Sequence, residues 1–301
     1  MKIGFHLPQW GRDATRDGVL EVARTVEEVG LDSVWVADHV VFPTATASRY
    51  PYRAETPFTP QDGFLEALTV LAAVAGVTER VLLGTSVLVM PMRNPVLTAK
   101  VVSTIDVLSN GRTILALGAG WWEEEFVALE ASFEGRGRRF DEQIRLMRNL
   151  WTHGTASFQG EFYAFDELAC EPRPLQLGGP PLLIGGMGKP AWRRAVALGD
   201  GWHAVGVHER TLEQGMKAMA RLAEESGRDA AQIRLSTSTV LPTDQATALR
   251  RLIRLARMGA SHVVLDAATQ SATETCRAIE TFAKTILPRL RDEVGSSGQR
   301  T

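Results

Sequence analysis

The stretch VWVADHVVFP at residues 34–43 ends an apolar run on an acid and an imidazole, Asp38 and His39. An imidazole titrates in the physiological range, and a carboxylate beside it holds or stabilises a proton, so the pair suits proton or charge movement. The plain alternative is that Asp38 braces a loop and His39 fills space. Three further stretches carry comparable signals. LLIGGMGKPAWRRA at 182–195 places Gly185, Gly186, Met187 and Gly188 ahead of a helix with Pro190 in its first turn. Free N–H groups and the helix dipole make such a turn an anion site, and Lys189, Arg193 and Arg194 add positive charge. The dinucleotide fingerprint G-x-G-x-x-G is absent there.

LGTSVLVMPMRNP at 83–95 holds Gly84, Thr85 and Ser86 in a run otherwise made of Val, Leu and Met. Small residues inside a strand mark a bulge, a ligand close to the backbone, or tight packing inside a barrel. LALGAGWWEEEF at 115–126 opens the backbone at Gly118 and Gly120 and follows at once with Trp121 and Trp122. Adjacent indoles are expected to point in different directions, so one would wall a site for a flat ring and the other would pack. The acids Glu123, Glu124 and Glu125 open a helix, where the macrodipole favours them.

All four stretches close predicted strands. Strands are expected at 2–7, 32–37, 80–89, 112–120, 180–186, 201–206, 232–241 and 261–267. Helices are expected at 15–30, 63–79, 95–111, about 122–131, 138–153, 190–199, 209–227, 244–259 and 272–292. A hairpin over 155–168, turning at Gln159–Gly160, interrupts the repeat. Eight strand–helix units predict an α/β chain folded as a (β/α)8 TIM barrel with a small β-hairpin insertion; an open doubly wound sheet is the structural alternative. Residues 1–292 would form one barrel domain and 293–301 a flexible C-terminal tail. In a barrel, strand ends of this kind meet at the C-terminal mouth.

The chain has 301 residues, 45% of them hydrophobic, and a net charge of −2. That balance gives no broad positive field for nucleic acid or an anionic membrane. The apolar start Ile3–Leu7 stops at Pro8, too short for a secretory core, and no apolar run has the length of a membrane span. Cys170 and Cys276 stand far apart, which fits a reducing cytoplasm. His6, His39, His153, His203, His208 and His262 show no metal-ligand spacing, and no G-x-S-x-G appears, so neither a metal site nor a serine hydrolase is expected. An anion turn, a glycine-smoothed cleft, an aromatic wall and an imidazole suit a phosphorylated planar cofactor that would carry the difficult chemistry itself.

Taken together, IGFHLPQWG, DSVWVADHV, LGTSVLVMPMRNPVLTAK, LSNGRTILALGAGWWEEEF and GRGRRFDEQIRLMRNLW resemble the bacterial luciferase-like superfamily, in its coenzyme F420-dependent branch, over about residues 2–290. The resemblance implies a TIM barrel, a two-electron redox cofactor and commonly a homodimer. It implies that His39 is catalytic and that Asp38, His39, Ser86, Val87 and the 185–188 turn bind the cofactor, with a non-prolyl cis peptide at Ser86–Val87. Where F420-dependent glucose-6-phosphate dehydrogenases carry a catalytic Glu after the fourth strand's glycines, this chain has Trp121. Their sugar-phosphate lysine aligns near His208. Sugar-phosphate oxidation is therefore disfavoured, and a more apolar small molecule is expected in a pocket shaped by Trp10, Trp121 and the 40–61 loop. Hydride transfer at C5 of F420 is the leading expectation. An FMN-dependent monooxygenase on the same fold, with FMN as the alternative cofactor, and a binding barrel without turnover are the rivals.

Overall fold

The computed structural model describes residues 1–51, 56, 58–206, 208–269 and 271–297, and side chains up to residue 294. Its strands are β1 (Lys2–His6), β2 (Ser33–Val36), β3 (Leu82–Val89), β4 (Thr113–Gly118), β5 (Thr155–Gln159), β6 (Ala164–Ala169), β7 (Leu182–Gly185), β8 (Gly201–Val205), β9 (Arg234–Val240) and β10 (Ala260–Asp266). Its helices are α1 (Arg16–Glu28), α2 (Ala67–Ala75), α3 (Pro95–Leu108), α4 (Glu123–Ala128), α5 (Arg136–Thr152), α6 (Lys189–Ala197), α7 (Glu209–Glu225), α8 (Gln245–Arg257), α9 (Ala272–Thr285) and α10 (Leu287–Ser297).

All strands except β5 and β6 pair in parallel, in chain order, and β10 pairs back on β1 to close the barrel. This is the expected (β/α)8 barrel. Helix α1 shows how the repeat is built. The Thr15 side chain accepts from Gly18 N at 3.1 Å to start it, and Val19, Leu20, Val22, Ala23 and Val26 form its buried stripe. Each such fully buried aliphatic side chain contributes about 1.5–3 kcal/mol.

Three elements depart from the sequence expectation, each for a local reason. Helix α2 is shorter than 63–79 because the chain before it is engaged elsewhere: Leu65 N donates to Gln9 O, and Phe64 bridges Trp10. Glu66 then caps the helix, accepting from Thr69 N at 2.7 Å. The single helix expected over 272–292 is two, α9 and α10. Pro288 has no N–H to continue the ladder across Ile286, and α10 runs on to Ser297, inside the segment expected to be a tail. The hairpin β5–β6 turns over four residues rather than two. Its turn is held by the Glu142 carboxylate of α5, which accepts from the N–H groups of Glu161, Phe162 and Tyr163.

The barrel interior is polar at its centre. Trp35 donates Nε1–H to Ser33 Oγ at 2.7 Å, and Ser33 Oγ bonds His262 Nε2 at 2.7 Å. The Trp35 indole stacks on the His203 ring, 5.2 Å between centroids and 5° between planes. Gly84 makes room for that indole: a Cβ there would come within 2.4 Å of it. Burial pushes the His203 and His262 imidazoles down to about 3, so both are neutral rings inside the barrel.

Candidate active site

A cavity of about 360 Å³ opens at the C-terminal ends of the strands. Its lining comes from strand ends: Ala37, Asp38 and His39 after β2; Ser86, Val87 and Val89 of β3; Gly118 to Trp121 at β4; Gly185, Gly186 and Met187 at β7; and Val205 of β8. Tyr50, Pro51 and Phe58 of the long loop close one side. Residues 52–55 and 57 of the 40–61 segment lie outside the described residues.

His39 is buried, with 7% of its surface exposed, inside an aromatic cage of Phe42, Phe58, Phe64, Trp121 and Trp122. Its carboxylate partner is not the adjacent Asp38. Nδ1 meets Glu125 Oε2 at 2.9 Å, while Glu125 Oε1 accepts from Val40 N at 2.6 Å. With Nδ1 directed at the carboxylate, Nε2 is the ring nitrogen left for whatever enters the cavity.

Asp38 turns to other work. Its side chain is completely covered, Oδ1 accepts from Arg93 Nη2 at 2.6 Å, and Oδ2 accepts from Val89 N at 2.8 Å. Both oxygens are thus engaged inside the protein, and the observed role is to brace the end of β3. Arg93 also pairs with Glu66 at 3.0 Å. It is linked to the hairpin as well, since Gln143 Nε2 donates both to Arg93 O and to Tyr163 Oη.

At the end of β3 the Ser86–Val87 peptide is cis, and the pairing with β4 shifts between Thr85 and Leu88. The bulge carries Val87 inward. A Cβ on Gly118 would come within 2.7 Å of Val87, and one on Gly185 within 2.6 Å. These two glycines therefore exist to seat Val87 as the cavity floor, rather than to open the mouth. Behind it, Ser86 Oγ bonds His203 Nε2 at 2.8 Å, and His203 Nδ1 bonds Ser236 Oγ at 2.8 Å.

At β7 the turn has the features of an anion cradle. Gly186 and Gly188 have φ of +103° and +87°, no side chain caps the α6 N-terminus, and Trp202 Nε1 holds the Gly186 carbonyl at 2.8 Å. Gly188 caps the helix and Met187 lines the cavity; Arg194 also lines it, whereas Lys189 and Arg193 are exposed outside. The cavity thus joins a flat apolar floor, an imidazole and an anion turn, a set that fits a phosphate-bearing planar cofactor.

Of the two residues expected to shape a substrate pocket, Trp121 lines the cavity and Trp10 does not. Trp10 sits behind Phe58 and Phe64, stacked on Phe64 at 15° between planes, because the exit of β1 pairs with residue 64. It lines a separate small recess with His6 and Asp266. Trp121 and Trp122 stack on each other at 4.7 Å and 14° rather than diverging. Trp122 is packed, with Nε1 on Thr46 Oγ1 at 2.9 Å.

The acids after these indoles do more than complement a helix dipole. Glu124 fastens the long loop, accepting from Ser48 Oγ at 2.6 Å, Ala47 N at 2.6 Å and Thr46 Oγ1 at 3.0 Å, and these bonds hold its carboxyl down at about 2. Glu125, the partner of His39, is the candidate site residue that the sequence pattern did not single out. The available signal was an acid one residue short of the buried Phe126, on a helix facing the His39 strand end.

Comparison with known proteins agrees with this geometry. The family model described as luciferase-like monooxygenase matches residues 2–288. An F420-dependent glucose-6-phosphate dehydrogenase of Amycolatopsis mediterranei is 36% identical over 208 residues, 67% of this chain and 56% of that enzyme. An uncharacterized protein of Mycobacterium tuberculosis is 34% identical over 212 residues, 69% of this chain and 72% of its own. Among solved structures, an F420-dependent secondary alcohol dehydrogenase in complex with an F420–acetone adduct superposes with a TM-score of 0.78 at 20% identity, covering 96% of this chain and 99% of that one. The monooxygenase RslO1 from Streptomyces bottropensis superposes at 0.76, also at 20% identity, with the same coverage of 96% and 99%. These two likenesses establish the fold.

Proposed function

Starting from a chain that belongs to the luciferase-like monooxygenase family, we propose that it is an F420-dependent oxidoreductase moving a hydride between the deazaflavin and a small, rather apolar organic substrate. The observation that carries this reading is the His39–Glu125 pair beside a cavity that is also lined by Gly185, Gly186 and Met187 of the glycine turn. F420, when bound, supplies two-electron hydride chemistry without ready reaction with oxygen.

The protein's own part is positioning and charge. Gly185, Gly186, Met187 and Gly188, with the uncapped α6 N-terminus, would hold the phosphate end. Val87 gives a flat apolar support, and Ser86 stands beside it. His39 holds the substrate's oxygen-side proton at Nε2, and Glu125 stabilises the imidazolium that forms when the ring takes that proton. Tyr50, Pro51, Phe58 and Trp121 exclude water from the same space. Their apolar character, and Trp121 in place of an acid, favour an alcohol or carbonyl compound over a sugar phosphate.

Intrinsic tryptophan fluorescence tests the cofactor directly, because Trp121 lines the cavity. Titration with F420 should give saturable quenching, and FMN a weaker response. Tight FMN binding with no response to F420 would overturn the proposal in favour of the flavin monooxygenase.

A further inference from the structure

Two guanidinium groups, Arg136 of α5 and Arg194 of α6, line the same cavity, Arg194 on the helix that follows the glycine turn. Among the described residues, only one of the two charges is matched by an ion pair. Arg194 directs Nε to Asp141 Oδ1 and so has its counterion. Arg136 has none within ion-pair distance among the described residues. It donates Nε–H to Gly120 O at 3.2 Å and Nη1–H to Phe133 O at 3.3 Å, and its Cζ stands over the Phe133 ring, 3.7 Å from the centroid. The acid that lines the cavity, Asp38, is bound to Arg93. The Arg194 side chain reaches the residue next to Arg136, since a Cβ on Gly137 would come within 2.7 Å of Nη2. Partial burial lowers the pKa of Arg136, Glu123 opposes this, and the neighbouring Arg194 adds to the lowering. A half-buried guanidinium held rigid by two carbonyls and a ring, with a second guanidinium nearby, is an arrangement that an oxyanion completes.

We propose that Arg136, assisted by Arg194, is a second anion-binding subsite of this cavity, which takes an oxyanion of the bound molecule beyond the reach of the glycine turn. Placing that oxyanion on the cofactor rests on the F420 reading above; the subsite itself does not. A phosphate and the carboxylate that follows it in the cofactor's side chain offer the same chemistry, so the probes must separate them.

The test uses the full chain and its Arg136→Gln and Arg136→Lys variants. Three deazaflavins are titrated by tryptophan quenching: the riboside, its 5′-phosphate, and the phospholactyl form without glutamate. Arg136→Gln should leave riboside affinity unchanged and weaken an anionic form about tenfold, the scale of one charge-assisted hydrogen bond, with Arg136→Lys in between. Weakening already at the 5′-phosphate identifies phosphate as the partner; weakening only at the phospholactyl form identifies the carboxylate. Equal weakening of all three, or none, overturns the subsite. Inorganic phosphate supplies the independent arm. It should raise the melting midpoint of the wild type more than that of Arg136→Gln. If that difference holds while no deazaflavin binds the wild type, the F420 reading fails and the subsite stands.

Discussion

His39 Nδ1 and Glu125 Oε2 stand 2.9 Å apart although 86 residues separate them in the chain, and both side chains are buried. The same carboxylate accepts from Val40 N at 2.6 Å, so one acid orients the imidazole and anchors the loop that follows it. Replacing His39 by Ala should cost about 10²–10⁴-fold in turnover while F420 binding persists. Glu125→Gln should cost less in turnover, because the ring stays in place but its imidazolium loses a counter-charge. Single-turnover absorbance of F420 with a panel of small alcohols and carbonyl compounds reads both. Equal activity in Glu125→Gln and wild type would remove the acid from the mechanism.

Glu125→Ala has a separate, structural outcome. It leaves Val40 N–H and His39 Nδ1 without their buried acceptor, which should lower stability by about 1–3 kcal/mol. Urea unfolding of the apoprotein measures this without any substrate.

Gly118→Ala should destabilise the barrel by about 1–3 kcal/mol, because the new Cβ would come within 2.7 Å of Val87 Cγ2. Val87→Ala removes the obstructing methyls, so the double variant should recover most of the loss. A cycle showing simple additivity between the two sites would contradict the packing described for the bulge.

Glu124 holds residues 46–48 through Thr46, Ala47 and Ser48. Amide hydrogen exchange at Ala47 and Ser48 should speed up in Glu124→Ala and stay unchanged in Glu123→Ala. The carboxyl's folded-state pKa, about 2, lies below its ordinary value. Its contribution is therefore complete above the ordinary carboxylate range and fades as pH falls towards 2, so the protection factors of these amides, corrected for the slower intrinsic exchange in acid, should fall over that window.

His203 and His262 carry folded-state pKa values of about 3, below the ordinary histidine value. The unfolded chain binds protons first as pH drops below about 6.5, so stability is full above that point and declines towards pH 3. Each ring sets a limiting slope of about 1.4 kcal/mol per pH unit. Between pH 7 and 5, where few carboxylates titrate, urea midpoints should fall less steeply in His203→Gln than in the wild type.

The legible part of this molecule was what repeats. Alternating apolar strands and amphipathic helices gave the barrel, and glycines at strand ends marked the mouth. What escaped was pairing across distance. Adjacent letters suggested Asp38 for His39, yet neighbours on an extended segment point to opposite sides, so Asp38 meets Arg93 and His39 meets a helix brought in from elsewhere. Trp10 lies outside the cavity for a similar reason: its place depends on a bridge to Phe64 that no local pattern encodes. Gly118 and Gly185 were visible as small residues, but the side chain that demands them, Val87, lies on a third strand.

That third strand has a further consequence. Val87, with Ser86 beside it, separates the cavity from the layer of neutral histidines and Trp35 beneath, since the glycines on either side contribute no side chain of their own. The depth to which any guest can sink into the barrel is therefore set chiefly by the bulk of residue 87. A trimmed or enlarged residue 87 would retune the vessel without disturbing its rim, and evolution, or an engineer, could change guests by editing a single codon.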